Sequence, residues 1–189
     1  MATSITENNS SVTSRPAWAS ALGVVTIVLG VFLSAYHGNE VMKQAVMVAH
    51  MPASGELPAA ECPDDELEEE GLTVAECEYM VTHIEGIALS TPGWFPGVQM
   101  WLAGIGTVIA FISIIVGGAL VNYNPLASGG AVLVFAVLIL VDVGQFAAVV
   151  NTGPILRDIY LWSILLWFLI HLMMLCAVIA GRQGNGQTT

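Results

Sequence analysis

The chain has 189 residues, of which 56% are hydrophobic and only 10% are charged, and its formal net charge is −11. A soluble domain normally carries about 25% charged residues, so this composition favours a membrane protein. The chain has only four Lys and Arg residues. Nucleic-acid binding is therefore not expected, because it needs a basic surface that neutralises phosphates.

Four apolar stretches set the fold class. Each is about as long as the ~20 residues that a helix needs to cross a bilayer core of ~30 Å. They predict an all-α integral membrane protein, a four-transmembrane-helix bundle in contact with the lipid bilayer. The predicted spans cover residues 17–36, 98–121, 129–150 and 157–181, between polar tails at 1–16 and 182–189.

An extramembrane loop of about 60 residues, 37–97, separates the first two spans and carries twelve of the fifteen acidic residues from Glu40 onward. The helical pattern of the first span continues at three- and four-residue steps to about residue 51. It predicts a helix that projects from the membrane or bends into its interface. A second helix is expected at 74–89, with Thr73 and Glu76 forming a capping box.

Two cysteines of this loop, Cys62 and Cys77, are expected to form a disulfide that closes a loop of about 15 residues, contributing ~3 kcal/mol on the chain-entropy model. Paired loop cysteines indicate an oxidising compartment. The positive-inside count is a tie of two basic residues on each side. The cysteines and the acidic loop break it: they favour cytoplasmic termini and an extracytoplasmic, periplasmic loop 37–97. The lack of eukaryotic targeting signals favours a bacterial inner membrane.

Asp142 stands out because it is the one formally charged residue inside the four apolar stretches, the last of which covers residues 159–181. It lies about eight residues from the outer end of its helix, hence ~12 Å deep, where a carboxylate costs about 2.5–3.5 kcal/mol on insertion scales. Gln145 shares its face, and Thr107 and Ser163 lie at comparable depths on other spans. These four residues predict an intramembrane polar layer that locks the bundle, carries protons or ions, or contacts a partner subunit.

His171 is the second unusual intramembrane group. It is the candidate cofactor ligand, for a haem, although the alternative is a hydrogen-bonded packing residue. A bis-histidine haem needs a second mid-membrane histidine, and His37 is expected only at the membrane edge. Soft ligands in the loop, including His50 and His83, suit copper, but without tight ligand spacing no metal site is predicted.

No phosphate-binding loop, nucleophile elbow, zinc motif or dinucleotide fingerprint is present, and no catalytic residue is predicted. Cys176 is expected to be an inert packing thiol. The leading interpretation is a non-catalytic tetraspan membrane subunit, a scaffold or accessory component that self-associates or joins other membrane subunits. The alternatives are a haem- or quinone-associated redox subunit using His171, proton or ion translocation through Asp142, and extracytoplasmic metal binding.

Overall fold

A computed structural model describes residues 17–50, 62–63, 67 and 69–186. Over these ranges it contains five long helices and no strand. Four of the helices are long and apolar enough to cross a membrane. The predicted all-α bundle of four membrane-spanning helices is therefore confirmed. The helices are α1 (Ala17–His50), α2 (Val74–Ser90), α3 (Phe95–Val121), α4 (Ala127–Val150) and α5 (Pro154–Gly186).

Local sequence explains where several helices begin and end. At the start of α2, Thr73 donates its backbone N–H and its hydroxyl to the Glu76 carboxylate, and its hydroxyl oxygen accepts from the Glu76 N–H. This is the capping box expected from the sequence. Proline occupies the first turn of both α3 and α5, where no intrahelical donor is lost. After α3, Tyr123 takes a left-handed φ of 57°, and its hydroxyl pairs with that of Ser20 at 2.5 Å.

Helices α1 and α3 form the most extensive helix pair of the bundle. Their buried positions follow alternating three- and four-residue steps on both helices, the heptad spacing of an antiparallel coiled coil. On α1 these positions are Ala19, Gly23, Thr26, Gly30, Leu33, His37, Glu40 and Gln44, and on α3 they are Gln99, Ala103, Gly106, Ala110, Ser113, Gly117 and Leu120.

Glycines bring the two helices into backbone contact. A Cβ atom on Gly23 would lie 2.7 Å from the Gly117 carbonyl oxygen, and one on Gly30 would lie 2.5 Å from the Ser113 Oγ. One heptad further along, a Cβ on Gly106 would lie 2.8 Å from two atoms of the His37 ring. Close approach of small residues is how helices associate in lipid, where burial of apolar surface gives no driving force.

The bundle closes through contacts of α3 with α4, α4 with α5, and a smaller α5–α1 contact. Large apolar side chains of α1, including Val28 and Phe32, lie on its outer surface. The chain therefore presents bulky apolar groups to the bilayer and small or polar groups to its own interior, at least along α1.

The helices are longer than the hydropathic stretches that predict them. Helix α1 continues without a break past Tyr36 to His50, as the helical pattern to about residue 51 predicts, and α5 continues to Gly186 where a polar tail from residue 182 is expected. The expected N-terminal tail at 1–16 and residues 51–61 of the loop lie outside the described residues. Cys62 and Cys77 are joined by a disulfide.

Candidate functional site

The bundle interior contains polar groups mainly in its half nearer the loop. We call the membrane side where α1 ends and α3 begins the loop face, and the side where α1 begins and α5 ends the terminus face. Three groups of buried polar residues stand out: Glu40 with Gln44 near the loop face, His37 on α1, and Asp142 with His171 between α4 and α5.

Asp142 and His171 form a carboxyl–imidazole pair between α4 and α5. Asp142 Oδ2 and His171 Nδ1 lie 2.6 Å apart, and both side chains are fully buried. Asp142 stands eight residues before the end of α4, which places it ~12 Å from the loop-face end of the helix. The contact is a hydrogen bond in which either the imidazole or the carboxyl carries the proton.

Aromatic side chains hold the His171 ring in place. The Trp167 ring stacks beside it with centroids 6.0 Å apart, and the Phe135 ring lies at 6.5 Å. Since Asp142 occupies Nδ1, only Nε2 of His171 remains for another contact. That nitrogen is buried and has no hydrogen-bond partner among the described residues.

His37 lies on the α1 face that packs against α3. The side chain is buried, and neither ring nitrogen has a hydrogen-bond partner within the described ranges. Its ring rests against Gly106, whose missing side chain leaves the room it occupies. His171 lies close enough to interact with His37 electrostatically. The interior therefore holds two histidines where the sequence predicted one.

Near the loop face, Glu40 is buried in a hydrogen-bonded cluster. Its Oε1 accepts from the Tyr160 hydroxyl at 2.9 Å and from Gln44 Nε2 at 2.7 Å. Lys43, which is largely exposed, places its Nζ 3.8 Å from the other carboxylate oxygen. The Tyr160 hydroxyl reaches into the bundle and tethers α5 to α1.

The half of the bundle nearer the terminus face is apolar. Its buried polar side chains bond to the backbone of their own helices: Thr26 donates to the Leu22 carbonyl and Ser113 to the Ala110 carbonyl. The rest of the buried core in this region is hydrocarbon. The cluster consists of Leu33, Ala110, Leu120, Ala127, Ala131, Val134, Phe135, Leu138, Met174 and Val178.

The four residues of the expected polar layer do not act as one group. Asp142 and Gln145 are both buried on α4. Thr107 instead donates to the Ala103 carbonyl of its own helix, and Ser163 hydrogen-bonds to Tyr36 of α1. The structure adds His37, Glu40 and Gln44, which the sequence analysis left outside the membrane.

A recognisable signal for these additional residues is the heptad spacing of α1. Gly23 and Gly30 point to a close helix contact, and the same seven-residue step leads to His37 and Gln44. A hydropathy window ends where such polar residues begin, so it places them outside the bilayer even though they face the bundle interior.

One surface pocket touches Asp142 from the lipid side. It has a volume of about 180 Å³ and lies between α4 and α5. Apart from Asp142, its lining is apolar and comprises Val143, Phe146, Ile164, Leu165 and Phe168.

In the parts of the chain that the structure describes, no three His, Cys, Asp or Glu side chains are grouped as metal ligands. The side chain of His50 is outside the described set, and His83 stacks on Tyr79 at the surface of α2. Comparisons with protein-family models, with curated proteins and with solved structures found no match for this chain.

Proposed function

We propose that this membrane protein translocates protons, and that the Asp142–His171 pair is its intramembrane proton-binding site. The observation that carries the proposal is the 2.6 Å contact between these two side chains inside a helix bundle that can span a membrane. An ionisable carboxyl inside a span is costly to insert and is a functional candidate by default.

The neighbouring histidine supports a relay. A neutral imidazole can accept a proton on one nitrogen and release another from the second. His171 uses Nδ1 for Asp142 and keeps Nε2 unoccupied, while His37 has both nitrogens unoccupied among the described residues. These nitrogens provide further proton-accepting positions in the half of the bundle nearer the loop face.

The apolar half of the bundle determines the type of translocation. Between Asp142 and the terminus face, the buried core over the described residues is hydrocarbon apart from side chains such as Thr26 and Ser113, and it offers no continuous series of titratable groups. The buried ionisable groups of the described residues lie in the half nearer the loop face, which favours proton exchange with that face in this conformation. Release to the other side requires a rearrangement of the apolar half, so we propose a gated carrier rather than an open channel.

The test is proton flux into liposomes that contain the purified chain and a trapped pH-sensitive dye, under an imposed pH gradient and a potential of either sign. Flux should exceed that of protein-free liposomes, and Asp142→Asn should lower it at least roughly tenfold, since the amide cannot cycle a proton. Ser113→Ala is the matched control, because Ser113 is buried but bonds only to its own helix, and it should keep the flux.

Wild-type flux no greater than that of empty liposomes under every gradient would overturn the proposal. In that event, copurification of another membrane protein would favour the accessory subunit predicted from the sequence. That prediction, together with the placement of the termini in the cytoplasm, stays a prediction.

A second candidate, a redox subunit, is favoured by one specific observation. A ligating histidine commonly gives one ring nitrogen to a carboxylate and the other to the metal, and His171 has this arrangement with Asp142. His37 supplies a second buried imidazole, on α1. An absorption spectrum of the membrane-extracted protein decides between the two functions. A haem band that disappears in His37→Gln would favour the redox subunit over proton translocation. A spectrum without a haem band would exclude the haem.

A further inference from the structure

The cluster at the loop face leaves two buried amide oxygens without a donor among the described residues. Both donors that reach the Glu40 carboxylate, the Tyr160 hydroxyl and Gln44 Nε2, bond to its Oε1. Oε2 faces Lys43 Nζ at 3.8 Å, which is too long for a hydrogen bond. The carbonyl oxygen of the Gln44 side chain is buried and accepts no hydrogen bond from the described residues.

Gln99 of α3 adds another unsatisfied oxygen at the same level. Its Oε1 is buried and, over the described part of the chain, accepts no hydrogen bond. The register of the helix pair places it opposite Gln44, because Gly30 lies by Ser113 and His37 lies by Gly106, and one further heptad leads to Gln44 and Gln99. Phe95, one turn before Gln99, packs against Tyr160 with ring centroids 5.9 Å apart.

Buried acceptors without donors cost free energy, and a cation satisfies several of them at once. We propose that Glu40, Gln44 and Gln99 bind a partly dehydrated alkali-metal cation, with Na⁺ as the ion to test first. Carboxylate, amide and hydroxyl oxygens are hard ligands that suit such ions. A single carboxylate favours a monovalent ion, since calcium sites generally use several carboxylates.

The position of the cluster gives an ion access from the loop face. Glu40 accepts from Tyr160, which lies only six residues after the start of α5, so the site is ~9 Å below that end of the bundle. The loop on this face carries most of the acidic residues of the chain, and a field of that sign raises the local cation concentration. The exposed ammonium of Lys43 partly neutralises Glu40 and should compete with the ion.

This site is separate from the Asp142–His171 pair, and the proposal does not rest on proton translocation. The test follows the thermal unfolding of the purified full chain in detergent, comparing NaCl with choline chloride at equal ionic strength. A ligand that binds only the folded state raises the unfolding temperature as its concentration rises. We expect a Na⁺-specific rise in the wild type.

Variants locate the effect. Glu40→Gln and Gln99→Met should weaken the apparent Na⁺ affinity roughly tenfold or more, and Lys43→Gln should strengthen it. Glu76→Gln is the matched control, because it removes an equal charge from the exposed start of α2, and it should keep the wild-type response. If Glu40→Gln does not fold, Gln99→Met and the broadening of the ²³Na resonance by wild-type protein carry the test.

Three outcomes would overturn the proposal: identical unfolding in NaCl and choline chloride, a Na⁺ response that both Glu40→Gln and Gln99→Met retain, or an equal loss of response in Glu76→Gln. A rise in KCl as large as the rise in NaCl would support an alkali-cation site that does not discriminate between the two ions.

Discussion

The contact between α1 and α3 predicts opposite effects for the same substitution at two adjacent glycines. Gly117 faces α1, and a Cβ there would lie 2.8 Å from the Gly23 carbonyl oxygen and 3.0 Å from the Ile27 backbone nitrogen. A Cβ on Gly118 would meet nothing within 4 Å. Gly117→Ala should therefore destabilise the bundle, while Gly118→Ala should not.

The magnitude follows from the geometry. The atoms that meet the new methyl include the α1 backbone, which cannot rotate away, and they stand about 0.6 Å inside ordinary contact distance. Overpacking of this kind costs about 1–3 kcal/mol, while alanine gains up to about 1 kcal/mol of helix propensity over glycine at either position. The free energy of unfolding of Gly117→Ala should thus be lower than that of Gly118→Ala by ~1–3 kcal/mol.

Reversible unfolding in mixed micelles, with denaturing detergent as the titrant and helical circular dichroism as the signal, measures this difference. Gly23→Ala should act like Gly117→Ala, and the double variant should lose less than the sum, because helices already forced apart accept the second methyl more easily. Equal midpoints for Gly117→Ala and Gly118→Ala would refute the close approach of α1 and α3 at this point.

Two further predictions concern the interior and the loop. Gly106→Ala should displace the His37 ring, two of whose atoms lie 2.8 Å from the new Cβ position, and should lower proton flux several-fold. Gly104→Ala, whose new Cβ would meet nothing within 4 Å, should keep the flux. Equal fluxes in the two variants would count against His37 as part of the relay. The backbone N–H and the hydroxyl of Thr73 lower the Glu76 pKa from 4.5. Because the Glu76 pKa is lower in the folded state, the stability that the cap contributes is complete above pH 4.5 and declines as the pH falls through the folded-state pKa. An NMR titration in which the Glu76 carboxyl keeps the ordinary pKa of a glutamate would contradict the cap.

Much of the fold follows from the sequence because the relevant signals are local. Long runs of apolar residues are enough to locate four spans, since a bilayer requires a minimum helix length. The capping box at Thr73 and Glu76 needs only a spacing of three residues, and the structure contains it. Asp142 is conspicuous in sequence because a charge inside a span is rare.

The pairing of Asp142 with His171, unlike these local features, depends on how distant parts of the chain pack together. The two residues are 29 positions apart on different helices, and whether they meet depends on how α4 and α5 are rotated about their axes. Hydropathy does not report that rotation in a bilayer, where lipid and protein interior are both apolar. The sequence therefore identifies both groups as unusual without showing that they form one site.

His37 and Glu40 illustrate the converse difficulty, in which hydropathy does not show that a polar residue faces the bundle interior. A window average ends the first span near residue 36, because the residues that follow are polar. These residues lie inside because small and polar groups occupy the heptad positions of α1, while the apolar side chains, such as Phe32, lie on the outer surface. In a membrane bundle the spacing of the glycines is thus the better guide to the interior: starting from Gly23 and Gly30, the same step of seven predicts that His37 is a core residue, even though its polarity indicates the opposite.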